Sequence, residues 1–204
     1  LAAAVVARGC RLGIAFDGDG DRAIFVDHLG RIVNGDAVLL ICGRRLKALG
    51  RLPGDTVVAT VMSNLGLERA LDAEGIRLVR TAVGDKYVME EMLRHGYAIG
   101  GEQSGHVISA DHLFTGDGLA TALLVLCAMA ESGRELADLA SALIVYPQVL
   151  VNVKVRERKD VNAVPAIRQA IDTVESAMAG TGRILMAIGL LMFGFVGYQL
   201  WGTG

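Results

Sequence analysis

Short apolar runs alternate with longer amphipathic stretches along most of this chain, and capping or turn residues stand at the junctions. The run Leu12 to Phe16 follows an Ala/Val helical stretch, gives way to DGDGDR, and is answered by a second run, Ala23 to Val26, before a turn around His28 to Gly30. That order predicts strand, loop, strand. Asn34-Gly35-Asp36 supplies a turn and an N-cap for a helix through about Leu49, and Pro53-Gly54-Asp55 resets the chain before the β-branched run Thr56 to Val61. Beyond it, Gly66 to Ala73 reads as a helix stopped by Gly75 and Ile76 to Val79 as a strand. Asp85 to Arg94 reads as a helix stopped by Gly96, and Tyr97 to Ile99 as a strand. Strands alternating with helices of this length predict an α/β fold with a mixed, largely parallel sheet flanked by helices.

From Asp117 an Asp-capped apolar helix is predicted to about Met129, then a second from Arg134 to about Leu143, and Pro147 marks a boundary. Gln148 to Val155 alternates like a strand, and Val161 to Met178 reads as a helix in which Pro165 is tolerable only in the first turn. The end differs: Ile184 to Trp201 is 18 residues without a charge, preceded by Arg183 and closed by Tyr198 and Trp201, the pattern of a membrane-spanning helix of minimal length.

Composition narrows the classes. The 204 residues suffice for one to two domains, and 20 Lys plus Arg against 22 Asp plus Glu leave a net charge of -2, which supplies no sequence-wide field for nucleic acid. No nucleic-acid partner is expected. A hydrophobic fraction of 52% excludes intrinsic disorder. Cys10, Cys42 and Cys127 form no CxxC pair, so they read as buried free thiols of a reducing, cytoplasmic compartment. The chain opens at Leu1 inside what reads as a helix, so this start is not expected to be the natural one.

The strongest chemical signal is Asp17-Gly18-Asp19-Gly20-Asp21-Arg22. Three alternate carboxylates concentrate charge, and the glycines let the backbone curl so that Asp17, Asp19 and Asp21 converge on one hard cation. Mg²⁺ would keep positions for a phosphate oxygen, with Arg22 facing the same anion. An EF-hand opens similarly, but the sixth position here is Arg22 rather than Gly and the twelfth is His28 rather than Glu, which disfavours a calcium module. The plain alternative is a solvated turn. In Gly100-Gly101-Glu102-Gln103-Ser104-Gly105-His106, after a short strand, Glu102, Ser104 and His106 offer a hydrogen-bonding set suited to a sugar. In Gly84-Asp85-Lys86 a strand passes into a helix, so Asp85 would cap it and Lys86 would reach a phosphate.

These residues resemble the α-D-phosphohexomutases. LGIAFDGDGDR at Leu12 to Arg22 looks like that family's metal loop, TVMSNLGLE at Thr60 to Glu68 like the opening of its third domain, and GGEQSGH at Gly100 to His106 like its sugar-recognition loop. GEQSGH together with the VGD turn is similar to the branch acting on glucosamine phosphates rather than the phosphomannomutase/phosphoglucomutase branch. The resemblance implies Mg²⁺ held by Asp17, Asp19 and Asp21, Arg22 on the phosphate, and a phosphorylated hexosamine read by Glu102 and Ser104. It implies interconversion of hexosamine 6- and 1-phosphates through a bisphosphate, with a phosphoserine as donor and acceptor. It also divides the chain: 1–33 as the end of a second domain with the metal loop, 34–147 as a complete third domain, and 148–183 as the start of a fourth.

The departures set further expectations. No serine here stands in the TASHN-like motif of the family's nucleophile, Lys86 stands where arginine is usual, and Phe114 where threonine is expected. After Gly182-Arg183 the RPSGTEP-type loop of the fourth domain is replaced by the apolar segment 184–204, which from about Met186 onward resembles the N-terminal membrane segment of a class of sortases. The expectation is therefore a partial mutase, inactive alone. The alternative is a noncatalytic Mg²⁺ and phosphosugar binder anchored in a membrane through 184–201.

Overall fold

The computed structural model of this chain describes residues 1–111, 113–149, 163–174 and 176. It divides into two compact units, Leu1–Val149 and Leu150–Gly204.

In the first unit, α1 (Ala2–Ala7) leads into a three-stranded antiparallel sheet of β1 (Leu12–Phe16), β2 (Ala23–Asp27) and β3 (Ile32–Val33). There follow α2 (Gly35–Ala48), β4 (Thr56–Thr60), α3 (Leu65–Asp72), β5 (Arg77–Thr81), α4 (Asp85–His95) and β6 (Ile99–Gly101). The hairpin of β7 (Val107–Ser109) and β8 (Leu113–Gly116) and the helices α5 (Gly118–Ser132) and α6 (Leu136–Ala140) complete the unit. The larger sheet runs β5-β4-β6-β7-β8.

All five residues of β4 are buried, as a β-branched strand covered on both faces should be. Its alternation splits the core. Val57 and Ala59 pack with Leu39, Leu67, Leu71 and Val125 on one face, and Val58 with Val88, Met92, Tyr97 and Ile108 on the other. Ala23, Phe25 and Val33 of the small sheet join the first cluster, so α2 and its neighbours serve both sheets. The Asn34 side chain caps α2 by accepting from the Ala37 N–H at 3.3 Å, while Asp36 and the pair Arg45 and Lys47 complement the two ends of the helix dipole.

The larger sheet is mixed, but less parallel than the sequence predicts. β4 pairs in parallel with β5 and β6, whereas β6–β7 and β7–β8 are antiparallel. The polar character of 102–106 hides a hairpin: β6 starts at Ile99 and absorbs Gly100 and Gly101, and the chain folds straight back as β7. The predicted helix 134–143 is shorter, Leu136–Ala140. Of the thiols only Cys42 is buried, with its pKa pushed up to about 12 by desolvation; Cys10 and Cys127 are exposed, contrary to expectation. Because β5 and β6 flank β4, the connection from β4 runs outward to β5 whereas the chain leaves β6 the other way, to β7, which makes the C-terminal ends of β4 and β6 a switch point.

Asp27 closes the small sheet. Its buried carboxylate accepts from the N–H groups of Leu29 (3.0 Å) and Arg31 (2.9 Å) and from Arg31 Nε (2.7 Å). Burial works against the charge, but these donors outweigh it and hold the carboxyl below its usual range. A depressed folded-state pKa contributes stability that is fully present above the unfolded-state value and lost as pH falls through the folded one. Urea midpoints should therefore decline below the ordinary carboxylate range, and Asp27→Asn should flatten that acid limb. An equally steep limb in the variant would place the acid sensitivity elsewhere.

In the second unit residues 165–174 are helical, opened by Pro165 where a missing N–H costs nothing, with Arg168 and Asp172 paired at 3.3 Å. The expected strand beyond Val149 and the segment 184–204, including the span read at 184–201, lie outside the described residues. Among the described residues no helix is long and apolar enough to cross a membrane.

Candidate functional site

The loop 17–22 closes the β1–β2 hairpin, whose last pair is Phe16 with Ala23. Carboxylate oxygens of Asp17, Asp19 and Asp21 lie within 4.8 Å of one another, as the alternation predicts. Arg22 holds the curl: its N–H donates to Asp17 Oδ1 at 3.2 Å, and its Nε stands 3.7 Å from Asp17 and 3.8 Å from Asp21. Desolvation opposes the Asp17 carboxylate, but the Arg22 N–H, a hydrogen bond with Asp21 and the guanidinium outweigh it, so its carboxyl lies below the usual range. Asp21 goes the other way: desolvation, then the hydrogen bond and charge of Asp17 and the charge of Asp19, push it up against the pull of His106. Like charges this close favour a bound cation, and the all-oxygen donor set suits a hard divalent ion such as Mg²⁺.

The structure brings this loop onto the β6–β7 turn. Arg22 and His106 form an isolated β-bridge, the Ala23 N–H donates to the Gly105 carbonyl at 3.2 Å, and His106 Nε2 stands 3.5 Å from Asp21 Oδ2. His106 is only 4% exposed, so it lies beneath the turn rather than at its surface as a sugar contact. From the other side, the Gly118 N–H at the start of α5 donates to the Gly20 carbonyl at 2.9 Å.

Glu102 and Ser104 stay accessible. Glu102 Oε1 accepts from the Gly84 N–H at 3.1 Å and Oε2 from the Ser104 hydroxyl at 3.2 Å, so the β5–α4 loop meets the same turn. Asp85 does not cap α4, contrary to expectation. Gly84, at φ 129°, holds the cap position, and Asp85 is the first helical residue. A backbone this far into the left-handed half of the map suits only glycine, which displaces the cap by one residue. The Lys86 ammonium is exposed and pairs with Glu90 at 3.7 Å along its own helix.

Residues 34–146 match the model of phosphoglucomutase/phosphomannomutase, alpha/beta/alpha domain III, more than half of the chain. The chain belongs to the phosphoglucomutase/phosphomannomutase family. It is 59% identical over 186 residues to the phosphoglucosamine mutase of Solibacter usitatus and 52% identical over 186 residues to that of Pediococcus pentosaceus. Those alignments take in 91% of this chain but 42% and 41% of the relatives, so it spans about two-fifths of their length. A phosphoglucomutase/phosphomannomutase family protein from Burkholderia thailandensis superposes with a TM-score of 0.61 at 28% identity, covering 72% of this chain and 31% of that one.

Within the family frame, three residues that the sequence did not single out for the site support it. Gly116 leaves room for the His106 ring, and Asp36 and Gln103 join beneath the turn. Asp36 was legible only as a residue of a capped helix start, because the partner that gives it a second role is distant in sequence.

Proposed function

We propose that this chain is the metal-loop and sugar-loop portion of a phosphoglucosamine mutase, an isomerase that interconverts glucosamine 6-phosphate and glucosamine 1-phosphate for amino-sugar nucleotide and cell-wall precursor synthesis. The observation that carries this reading is the junction of the two loops through Asp21 and His106 at 3.5 Å, which supports a cation site beside a hydroxyl-reading turn. The names of the relatives at 52–59% identity favour glucosamine phosphate as the sugar. On this reading 1–33 ends the family's second domain, 34–147 is its third and 148–183 begins its fourth, in a cytoplasmic protein.

The fit for Mg²⁺ is good: three converging carboxylates with a guanidinium beside them. Bound at Asp17, Asp19 and Asp21, Mg²⁺ would offset charge on the transferred phosphoryl group. Arg22 holds the loop and faces the same phosphate. Glu102 accepts from sugar hydroxyls, Ser104 both donates and accepts, and the Asp85 and Lys86 pair at the start of α4 borders the substrate. His106 orients Asp21 from below. The phosphoserine that donates and recovers the phosphoryl group has no counterpart among this chain's TASHN-less serines, so the chain alone binds without turning over.

A titration of the isotope-labelled chain with glucosamine 6-phosphate in Mg²⁺ should shift the amides of 84–86 and 102–105, with glucose 6-phosphate weaker and no 1-phosphate formed. Shifts confined to other surfaces, or equal responses to any phosphate, would retire this assignment.

A further inference from the structure

Beneath the turn that carries Glu102 and Ser104, Asp36 is a buried ionisable group to which the proposed function gives no role. Its carboxylate is fully buried in the first turn of α2. Oδ2 accepts from the Asn64 N–H at 2.8 Å and from Gln103 Nε2 at 3.2 Å, and the Ser63 side chain and the Arg80 charge also favour the carboxylate against its burial. Burying a carboxylate is costly, and an apolar residue would avoid that cost. What the carboxylate achieves is topological. Asn64 belongs to the loop after β4 and Gln103 to the turn after β6, so a single oxygen gathers the loops at the C-terminal ends of two adjacent parallel strands.

The backbone around it is equally committed. The Gly35 N–H donates to the Gln103 carbonyl at 3.0 Å, and a Cβ on Gly35 would come within 2.0 Å of the Glu102 carbonyl oxygen. The start of α2 therefore presses directly on the turn that carries Glu102 and Ser104. On the other side the Asn64 side chain is occupied: its Oδ1 accepts from the Gly66 and Tyr146 N–H groups, each at 2.9 Å, and its Nδ2 donates to the Tyr146 carbonyl at 2.8 Å. Asn64 cannot drift, and its N–H gives Asp36 a fixed reference.

We propose that Asp36 is a positioning residue for the sugar-facing turn: by anchoring the Gln103 amide it sets where the neighbouring Glu102 and Ser104 present their oxygens. This rests on reading Glu102 and Ser104 as ligand-contacting residues. Gln103 lies between them, and the turn is closed by the Gly105 N–H on the Glu102 carbonyl at 3.0 Å. The Asp36 oxygen that faces Gln103 accepts, so it holds Gln103 with its amide nitrogen inward. A site that must read hydroxyls gains from a turn fixed before the ligand arrives.

The test is amide hydrogen exchange on the full 204-residue chain without ligand, read at Gly105, bonded within the turn, and Gly84, bonded to the Glu102 carboxylate. Asp36→Ala and Gln103→Ala should each speed exchange at both amides by about tenfold or more, the scale of a lost hydrogen bond to a charged group. The double variant should be no faster than Asp36→Ala alone, because the link lost in Gln103→Ala is already broken there. Asp36→Asn keeps an acceptor oxygen and should restore slow exchange. Additive effects, or an Asp36→Asn as fast as Asp36→Ala, would overturn the proposal. Should Asp36→Ala fail to fold, Gln103→Ala decides alone: unchanged exchange at Gly84 would sink the idea, and faster exchange with an unchanged unfolding midpoint would uphold it. Adding glucosamine 6-phosphate to the parent chain separates this from the functional reading, since a chain that passes the exchange test without responding to the sugar phosphate keeps Asp36 as the anchor and loses the sugar.

Discussion

Asp19→Asn is expected to remove the stabilisation that Mg²⁺ confers on this chain while leaving the metal-free protein as stable as the parent or slightly more so. Asp17 accepts the Arg22 N–H and Asp21 approaches His106, so replacing either also disturbs the fold of the loop. Asp19 is exposed, and its one evident task is to complete a set of carboxylate oxygens within 4.8 Å of one another. Without a cation, removing its charge relieves repulsion. With one, it removes a ligand, and affinity should fall at least about tenfold, the lower end of what even an outer partner of a metal site costs. A ligand that binds only the folded state stabilises it as the logarithm of one plus the ratio of its concentration to its Kd, so the two proteins should exchange rank between chelator and millimolar Mg²⁺. Equal shifts in both would return the loop to a solvated turn.

The second large effect is expected at Gly116→Ala. A Cβ there would lie 2.2 Å from His106 Nε2 and 2.3 Å from Cδ2, so the ring must move. His106 is 4% exposed and its backbone is tied to that of Arg22 by a β-bridge, so the ring is hemmed in. Overpacking of this kind costs about 2–3 kcal/mol, or roughly 5–10 °C in Tm for a unit of this size. The same displacement reaches the acidic loop: Asp21 loses its neighbour at 3.5 Å, and the loop 17–22 loosens from the β6–β7 turn. Because the clash is with the ring, Gly116→Ala combined with His106→Ala should be less unstable than the sum of the single changes. Simple additivity would show that the strain lies in the β8 backbone instead.

The elements most legible in the sequence were those whose signals are local. Asn34 before an apolar helix, the β-branched run at 56–61 and the glycine stops at Gly75 and Gly96 each act within a turn or two, so α2, β4, α3 and α4 fall within a residue or two of where the pattern puts them. The convergence of Asp17, Asp19 and Asp21 was equally legible, since alternate residues of a curled loop meet without help from the rest of the chain. The Gly84 cap was missed because the choice between neighbouring cap residues turns on one backbone angle, and the β7–β8 hairpin because its strands are too short to show a period.

By itself, then, the sequence determined the α/β alternation, the acidic loop and the two polar stretches beside it, all through interactions between near neighbours. Only the tertiary structure decided that His106 is buried against Asp21, that Glu102 reaches the Gly84 amide and that Asp36 ties Asn64 to Gln103. Those pairs are separated by up to 85 residues along the chain, as His106 and Asp21 are, and strand order and packing density alone bring them together.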